Sequence, residues 1–189
     1  MEHARRAGYP VPRVHEVSAD GTDLVMERIS GRSMVSELGR RPWAIRRQGQ
    51  LLAELHQQLH QIVAPDWVGP APAGAGDRLV HLDLHPLNVL LSPAGPVVID
   101  WTNAARGEGT VDVALTWVLL AAGAIPGGRL RAAAMGWGRR TLVEAFLGPF
   151  DRDRVRALVP AVVEWKLQDP HLDPAERQAM HGLAVHAAG

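Results

Sequence analysis

The sequence predicts an α+β fold: a small β-containing segment, then a mostly helical body with one embedded hairpin. Three observations carry this. Two pairs of short apolar runs are joined by turn chemistry, at Ser18–Thr22 and Ser92–Pro96. Residues 43–63 place Leu51, Leu52, Leu55, Leu59 and Ile62 on one helical stripe. Beyond residue 110 the apolar pattern stays helical to the end, and 47% hydrophobic residues in 189 suffice for a packed core.

Each element follows from local chemistry. Glu2 to Ala7 reads as the end of a helix, stopped by Gly8, Pro10 and Pro12. Val14–Val17 and Asp23–Ile29 read as strands of one hairpin, followed by a connection through Gly31. After the helix over 43–63, residues 64–77 are rich in Pro, Gly and Ala and form a loop. Leu79–Leu82 is a short strand-like run, and Val89–Leu91 pairs with Val97–Ile99. Helices are expected over about 111–123, 129–147 and 151–167. Asp151 is the N-cap of the last of these, and Pro160 inside it predicts a kink. Asp173-Pro174 followed by Glu176 opens a final helix with a cap, a first-turn proline and a third-position carboxylate.

Composition removes several classes of function. Twenty basic and twenty acidic residues leave no net charge, which speaks against bulk nucleic-acid or anionic-membrane binding. The absence of Cys removes disulfides, thiolate zinc sites and thiol nucleophiles. The first residues are polar, with no apolar signal core. The longest apolar run, Val111–Ile125, contains Asp112 and is shorter than the ~20 residues of a membrane span, so it reads as a buried helix. The expectation is a soluble, cytoplasmic protein. Of the twenty basic residues nineteen are Arg; Lys166 is the single Lys.

The chemistry concentrates in His81-Leu-Asp83-Leu-His85-Pro86-Leu-Asn88 and in Ile99-Asp100-Trp101. Phosphoryl transfer from a nucleotide needs a carboxylate to take or orient the proton of an attacking hydroxyl, and oxygen ligands for Mg²⁺. An Asp followed five residues later by Asn supplies the first group and one ligand from a single tight loop. A second Asp at the end of a hairpin can return to the same metal. Asp83, Asn88 and Asp100 meet that pattern, and Asn88 is one of only two Asn in the chain.

As a set, these residues resemble the aminoglycoside phosphotransferase and choline kinase group of small-molecule kinases, within the protein-kinase-like fold. That group shows His-x-Asp-x-x-x-x-Asn and then Ile-Asp-Trp. The resemblance covers about residues 8–120. It implies a mainly helical C-terminal lobe over residues 29–189, carrying the catalytic-loop hairpin, and a remnant of the N-terminal β lobe over residues 1–28. It implies Asp83 as catalytic base, with His85 beside the transferred phosphate, and Asn88 and Asp100 as metal ligands. His81 and Asp112 would brace the loop, although Asp112 also suits the first turn of a helix, and Trp101 would pack under the metal site. Leu24-Val-Met26-Glu27-Arg28-Ile29 resembles the hinge: Met26 would border the base, and the backbone of Glu27 and Ile29 would hydrogen-bond it. The implied cofactors are ATP (or GTP) and Mg²⁺, and the implied partner is a small-molecule hydroxyl acceptor.

Parts of the family pattern are not found. No Gly-rich loop and no phosphate-binding Lys precede Pro10, and Gly107-Glu108-Gly109 stands where the family has Gly-Asp-Pro. The expectation is a chain with only the tail of the small lobe and an impaired phosphate clamp. Two other functions share the residues. One is a kinase-like binding module without catalysis. The other is a metal-dependent hydrolase, with His81, Asp83 and His85 on one strand face. From residue 129 onward nine basic and seven acidic residues give no acidic bias for a polycationic acceptor; Glu144, Glu164 and Asp169 are the candidate pocket carboxylates.

Overall fold

The computed structural model describes residues 1–123 and 129–188; Ile125, the end of the long apolar run, lies outside them. The chain opens with α1 (Glu2–Arg6) and the antiparallel pair β1 (Val14–Val17) and β2 (Leu24–Met26). In the turn between them, Asp20 accepts hydrogen bonds from the hydroxyls of Ser18 and Thr22. The second strand ends at Met26, short of the Ile29 expected from sequence: Glu27 N–H still bonds to Arg13 O at 2.7 Å, but the Arg13 N–H is taken by the Glu27 side chain at 3.2 Å and not by its carbonyl.

Three elements are absent from the sequence reading: β3 (Arg32–Ser33), α2 (Met34–Arg40) and a strand at Ala105–Gly107. Ser33 caps α2 by accepting the Ser36 N–H at 3.2 Å, and Met34 is fully buried beneath it. The helical stripe becomes α3 (Ile45–Leu59), entered through a 3₁₀ turn at Pro42–Ala44. Pro at the first position of that turn sets the start two residues after Trp43. Gly49 lets α3 lie directly on α5 (Arg129–Leu147). A Cβ there would sit 2.7 Å from Leu142 O and 2.8 Å from the Ala145 methyl.

Strands β5 (Val89–Ser92) and β6 (Gly95–Val98) form the expected hairpin, with β3 on its outer edge. A separate ribbon joins β4 (Arg78–Val80) to β7 (Ala105–Gly107). Both ribbons lead into α4 (Gly109–Ala122), the most buried helix, with Val111, Val113, Ala114, Leu115 and Val118 all under 2% exposed. Helices α5, α6 (Arg152–Lys166) and α7 (Pro174–Ala188) pack around it. Asp151 caps α6, accepting the N–H groups of Asp153 and Arg154. The helix runs through Pro160 without a break. No helix among the described residues is long and apolar enough to cross a membrane.

Candidate active site

The segment between β4 and β5 is held from below by one carboxylate. Asp112, in the first turn of α4, is fully buried. Its Oδ2 accepts the His81 backbone N–H at 3.0 Å and its Oδ1 the Leu82 N–H at 2.9 Å. The His60 ring lies 3.1 Å from Oδ2. Burial pushes the Asp112 carboxyl up, but the hydrogen bond from His60 and the surrounding imidazoles outweigh it and hold the group well below the usual carboxylate range. Leu82 therefore sits in the left-handed region at φ 57°, costly for a branched side chain and stabilised here by its N–H to Asp112. That reversal ends β4 at Val80 and turns the chain into the loop carrying Asp83.

Gly109 belongs to the same arrangement. A Cβ at this position would stand 2.4 Å from His60 Nδ1. The ring that binds Asp112 thus occupies the space that a side chain at position 109 would need, so only glycine fits there.

Within the loop, His85 N–H bonds to Asp83 O at 3.0 Å and Asn88 N–H to His85 O at 2.9 Å, a tight double turn. Asn88 Nδ2 donates to Asp83 Oδ2 at 3.0 Å and to Asp83 O at 2.9 Å. The Asn88 Oδ1 is thereby turned away from Asp83. His85 Nδ1 accepts the Leu87 N–H at 3.3 Å, so in the neutral ring the proton is on Nε2, 3.5 Å from Asp83 Oδ1. Burial raises the Asp83 carboxyl, yet His85 and then Lys166 pull it the other way, to a net position below the ordinary value.

Asp100 reaches this region across the hairpin: Val89 pairs with Val98, and Ile99 N–H bonds to Asn88 O at 3.0 Å. Asp100 is exposed at φ 61°, with Oδ1 accepting from the Thr102 hydroxyl at 2.8 Å. Its Oδ2 and the Asn88 Oδ1 are hard oxygen donors of the kind Mg²⁺ takes, and these two residues would be the ones to hold such an ion. Trp101 Nε1 donates to Val98 O at 3.1 Å, and its ring packs against Tyr9 and His81.

His81 is fully buried, and its Nε2 donates to Ile99 O at 3.1 Å. It faces the hairpin and Trp101, not His85. The strand-face triad of His81, Asp83 and His85 does not form, because Leu82 reverses the chain between them. Among the described residues no three His, Asp or Glu side chains converge on a common metal position. In the segment expected as a hinge, Met26 is 41% exposed. Glu27 N–H is donated to Arg13, and the Ile29 carbonyl accepts the Gly31 N–H. The Glu27 carbonyl and the Ile29 N–H take part in none of the loop backbone hydrogen bonds among the described residues.

Asp83 and His85 open onto a cavity of about 500 Å³ between the loop and helices α2, α4, α5 and α7. Most of its wall is aliphatic, including Val35, Leu38, Leu87, Leu120, Leu172 and Met180. Of the carboxylates singled out from sequence, none lines it. Glu144 is exposed and paired with Arg152 at 2.6 Å, Glu164 is exposed, and Asp169 binds Lys166 at 3.0 Å behind the wall. Composition cannot tell which face of a helix looks inward. The carboxylate that does line the cavity, besides Asp83, is Glu176 in the first turn of α7. Lys166 and Arg139 also border it, and the Arg139 guanidinium is bound to the carbonyls of Ala121 and Gly123 that end α4.

This combination of catalytic-type loop, returning Asp and adjoining open cavity defines a small-molecule kinase-like protein. The chain belongs to the phosphotransferase enzyme family (APH), whose model matches residues 58–158. Solved structures agree on the fold. A choline/ethanolamine kinase family protein from Mesorhizobium loti is 16% identical with a TM-score of 0.56, covering 99% of this chain and 76% of that one. An ethanolamine kinase of Plasmodium vivax is 10% identical with a TM-score of 0.54, covering 99% and 70%. A glucosamine kinase is 17% identical with a TM-score of 0.50, covering 99% and 66%. No curated protein matches the sequence.

Proposed function

We propose that the chain transfers the γ-phosphoryl group of ATP or GTP to a hydroxyl of a small molecule. Residues 1–28 belong in this reading to the β lobe and residues 29–189 to the helical lobe. Asp83 takes or orients the proton of the acceptor hydroxyl, and His85 faces the transferred group. Asn88 and Asp100 would hold Mg²⁺, which would supply charge neutralisation at the phosphates. Met26 borders the base, which hydrogen-bonds the Glu27 carbonyl and the Ile29 N–H. His81, Trp101 and Asp112 keep the loop in shape.

The observation that carries this reading is the Asn88–Asp83 hydrogen bond at 3.0 Å. It orients Asp83 and leaves the Asn88 oxygen to a cation with the same side chain. The cavity beside it is of small-molecule size. Its mainly aliphatic wall and, among the described residues, the single further carboxylate, Glu176, suit an acceptor with a largely apolar body and at most one basic group. A polycation would leave most of its charges facing aliphatic side chains.

The test is acceptor-stimulated release of ADP from MgATP and of GDP from MgGTP, over a panel of amino alcohols, amino sugars and neutral alcohols, with EDTA controls. The reading expects stimulation by a member with one amine or none, abolished by EDTA. Nucleotide binding without transfer to any acceptor would instead make the chain a binding module.

A further inference from the structure

The chain's single lysine is far from the catalytic loop in sequence and beside it in space. Lys166 ends α6 and its side chain is 10% exposed. Its Nζ lies 3.0 Å from Asp169 Oδ2 and 3.9 Å from Asp83 Oδ1. Asp169 is itself fixed: its Oδ1 accepts the His171 N–H at 2.9 Å. The loop carrying it is pinned by Arg177 of α7, which donates to Leu167 O and Asp169 O, both at 2.6 Å. A chain of contacts thus runs from α7 through the 167–169 loop and Lys166 to the reacting carboxylate.

The two distances differ in kind. At 3.0 Å Lys166 donates a hydrogen bond to Asp169; at 3.9 Å it is only an ion-pair neighbour of Asp83. Asp83 Oδ2 accepts from Asn88, while Oδ1 has the His85 Nε2 at 3.5 Å and the Lys166 ammonium at 3.9 Å as its nearest cationic-type neighbours. An ammonium anchored elsewhere attracts Oδ1 without occupying its lone pairs, which leaves them to an acceptor hydroxyl. An ammonium free to swing would bind Asp83 directly and block it.

Resting on the phosphotransfer reading above, we propose that Lys166 is a positioning residue for Asp83, tethered by Asp169 so that it orients the Asp83 carboxylate without hydrogen-bonding it. The role belongs to α6 and the loop after it, not to the catalytic loop.

The absence of Cys and the single Lys make the test clean. In the full chain, K166M is expected to lower kcat at least tenfold with KM for the nucleotide within twofold. In K166C the introduced thiol is the only one present. Alkylation with 2-bromoethylamine, which rebuilds a lysine-length ammonium, is expected to restore at least a third of the wild-type kcat; iodoacetamide, which adds a neutral group, is not. Wild-type kcat in K166M, or equal rescue by both reagents, would overturn the proposal in favour of packing alone. A second readout does not need an acceptor. With ¹³C,¹⁵N-lysine the protein gives one lysine side-chain signal, and D83N and D169N should each shift its ε-carbon resonance. A signal unmoved by D83N overturns the positioning role. Absence of transfer in the wild-type chain, with that shift present, overturns the phosphotransfer reading and leaves the Lys166–Asp83 contact standing.

Discussion

Replacing Asp112 by Asn tests the support of the loop most sharply. The carboxylate accepts two buried backbone N–H groups and faces a third donor, His60. An amide of the same shape keeps one accepting oxygen and turns an NH₂ toward the other N–H. One buried donor is then unsatisfied, at about 1–3 kcal/mol. The remaining bond loses its charge-assisted character, roughly halving it. Leu82 also loses part of what stabilises its left-handed backbone, worth about 1–2 kcal/mol. The sum is about 3–5 kcal/mol, a large share of a domain's stability. Urea unfolding followed by circular dichroism should show the midpoint falling at unchanged m-value, and Tm falling by about 10 °C for a chain of this size. A loss under about 1 kcal/mol would refute the reasoning, since it would mean that water or another acceptor satisfies both N–H groups.

Other consequences follow from the same contacts. His56 is fully buried, donates Nδ1–H to Leu52 O at 2.8 Å, and is held by burial at a pKa of about 4. The unfolded chain binds that proton from about pH 6.5 down, so stability is complete above this and declines toward pH 4 by about 3 kcal/mol. Chemical denaturation at a series of pH values should show this slope, and H56Q should flatten part of it; a flat wild-type profile would contradict the burial argument. Gly109→Ala drives a methyl into the His60 ring and should cost about 2–3 kcal/mol in the same unfolding assay. E176Q should raise KM about tenfold for an amine-bearing acceptor and leave KM for the nucleotide unchanged, because Glu176 lines a cavity whose wall does not include Met26, Glu27 or Ile29.

The parts of the fold legible in sequence are those with local causes. The turn chemistry of Ser92–Pro96, the stripe of α3 and the Asp151 cap each act within a few residues. The same holds for Asp83 and Asn88, whose five-residue spacing becomes a hydrogen bond in one loop. What escaped the sequence depends on distance. Helix α2 is seven residues long and contains Gly39, so its pattern was weak, although the pair of Ser33 and Ser36 marks its start. Strand β7 exists because β4 lies beside it. Lys166 reaches Asp83 across 83 positions, and Glu176 rather than Glu144 faces the cavity because of how α5 and α7 are rotated in the bundle. The one sequence signal for Lys166 was its singularity.

The central claim is that Asp83 carries phosphoryl transfer to a small-molecule hydroxyl. The direct measurement is γ-phosphoryl transfer from radiolabelled ATP to the best acceptor of the panel, by wild type and by D83N. The account predicts a fall of about 10²–10⁴-fold in kcat for D83N, at nucleotide affinity within twofold of wild type. Equal rates of transfer in the two proteins would contradict it.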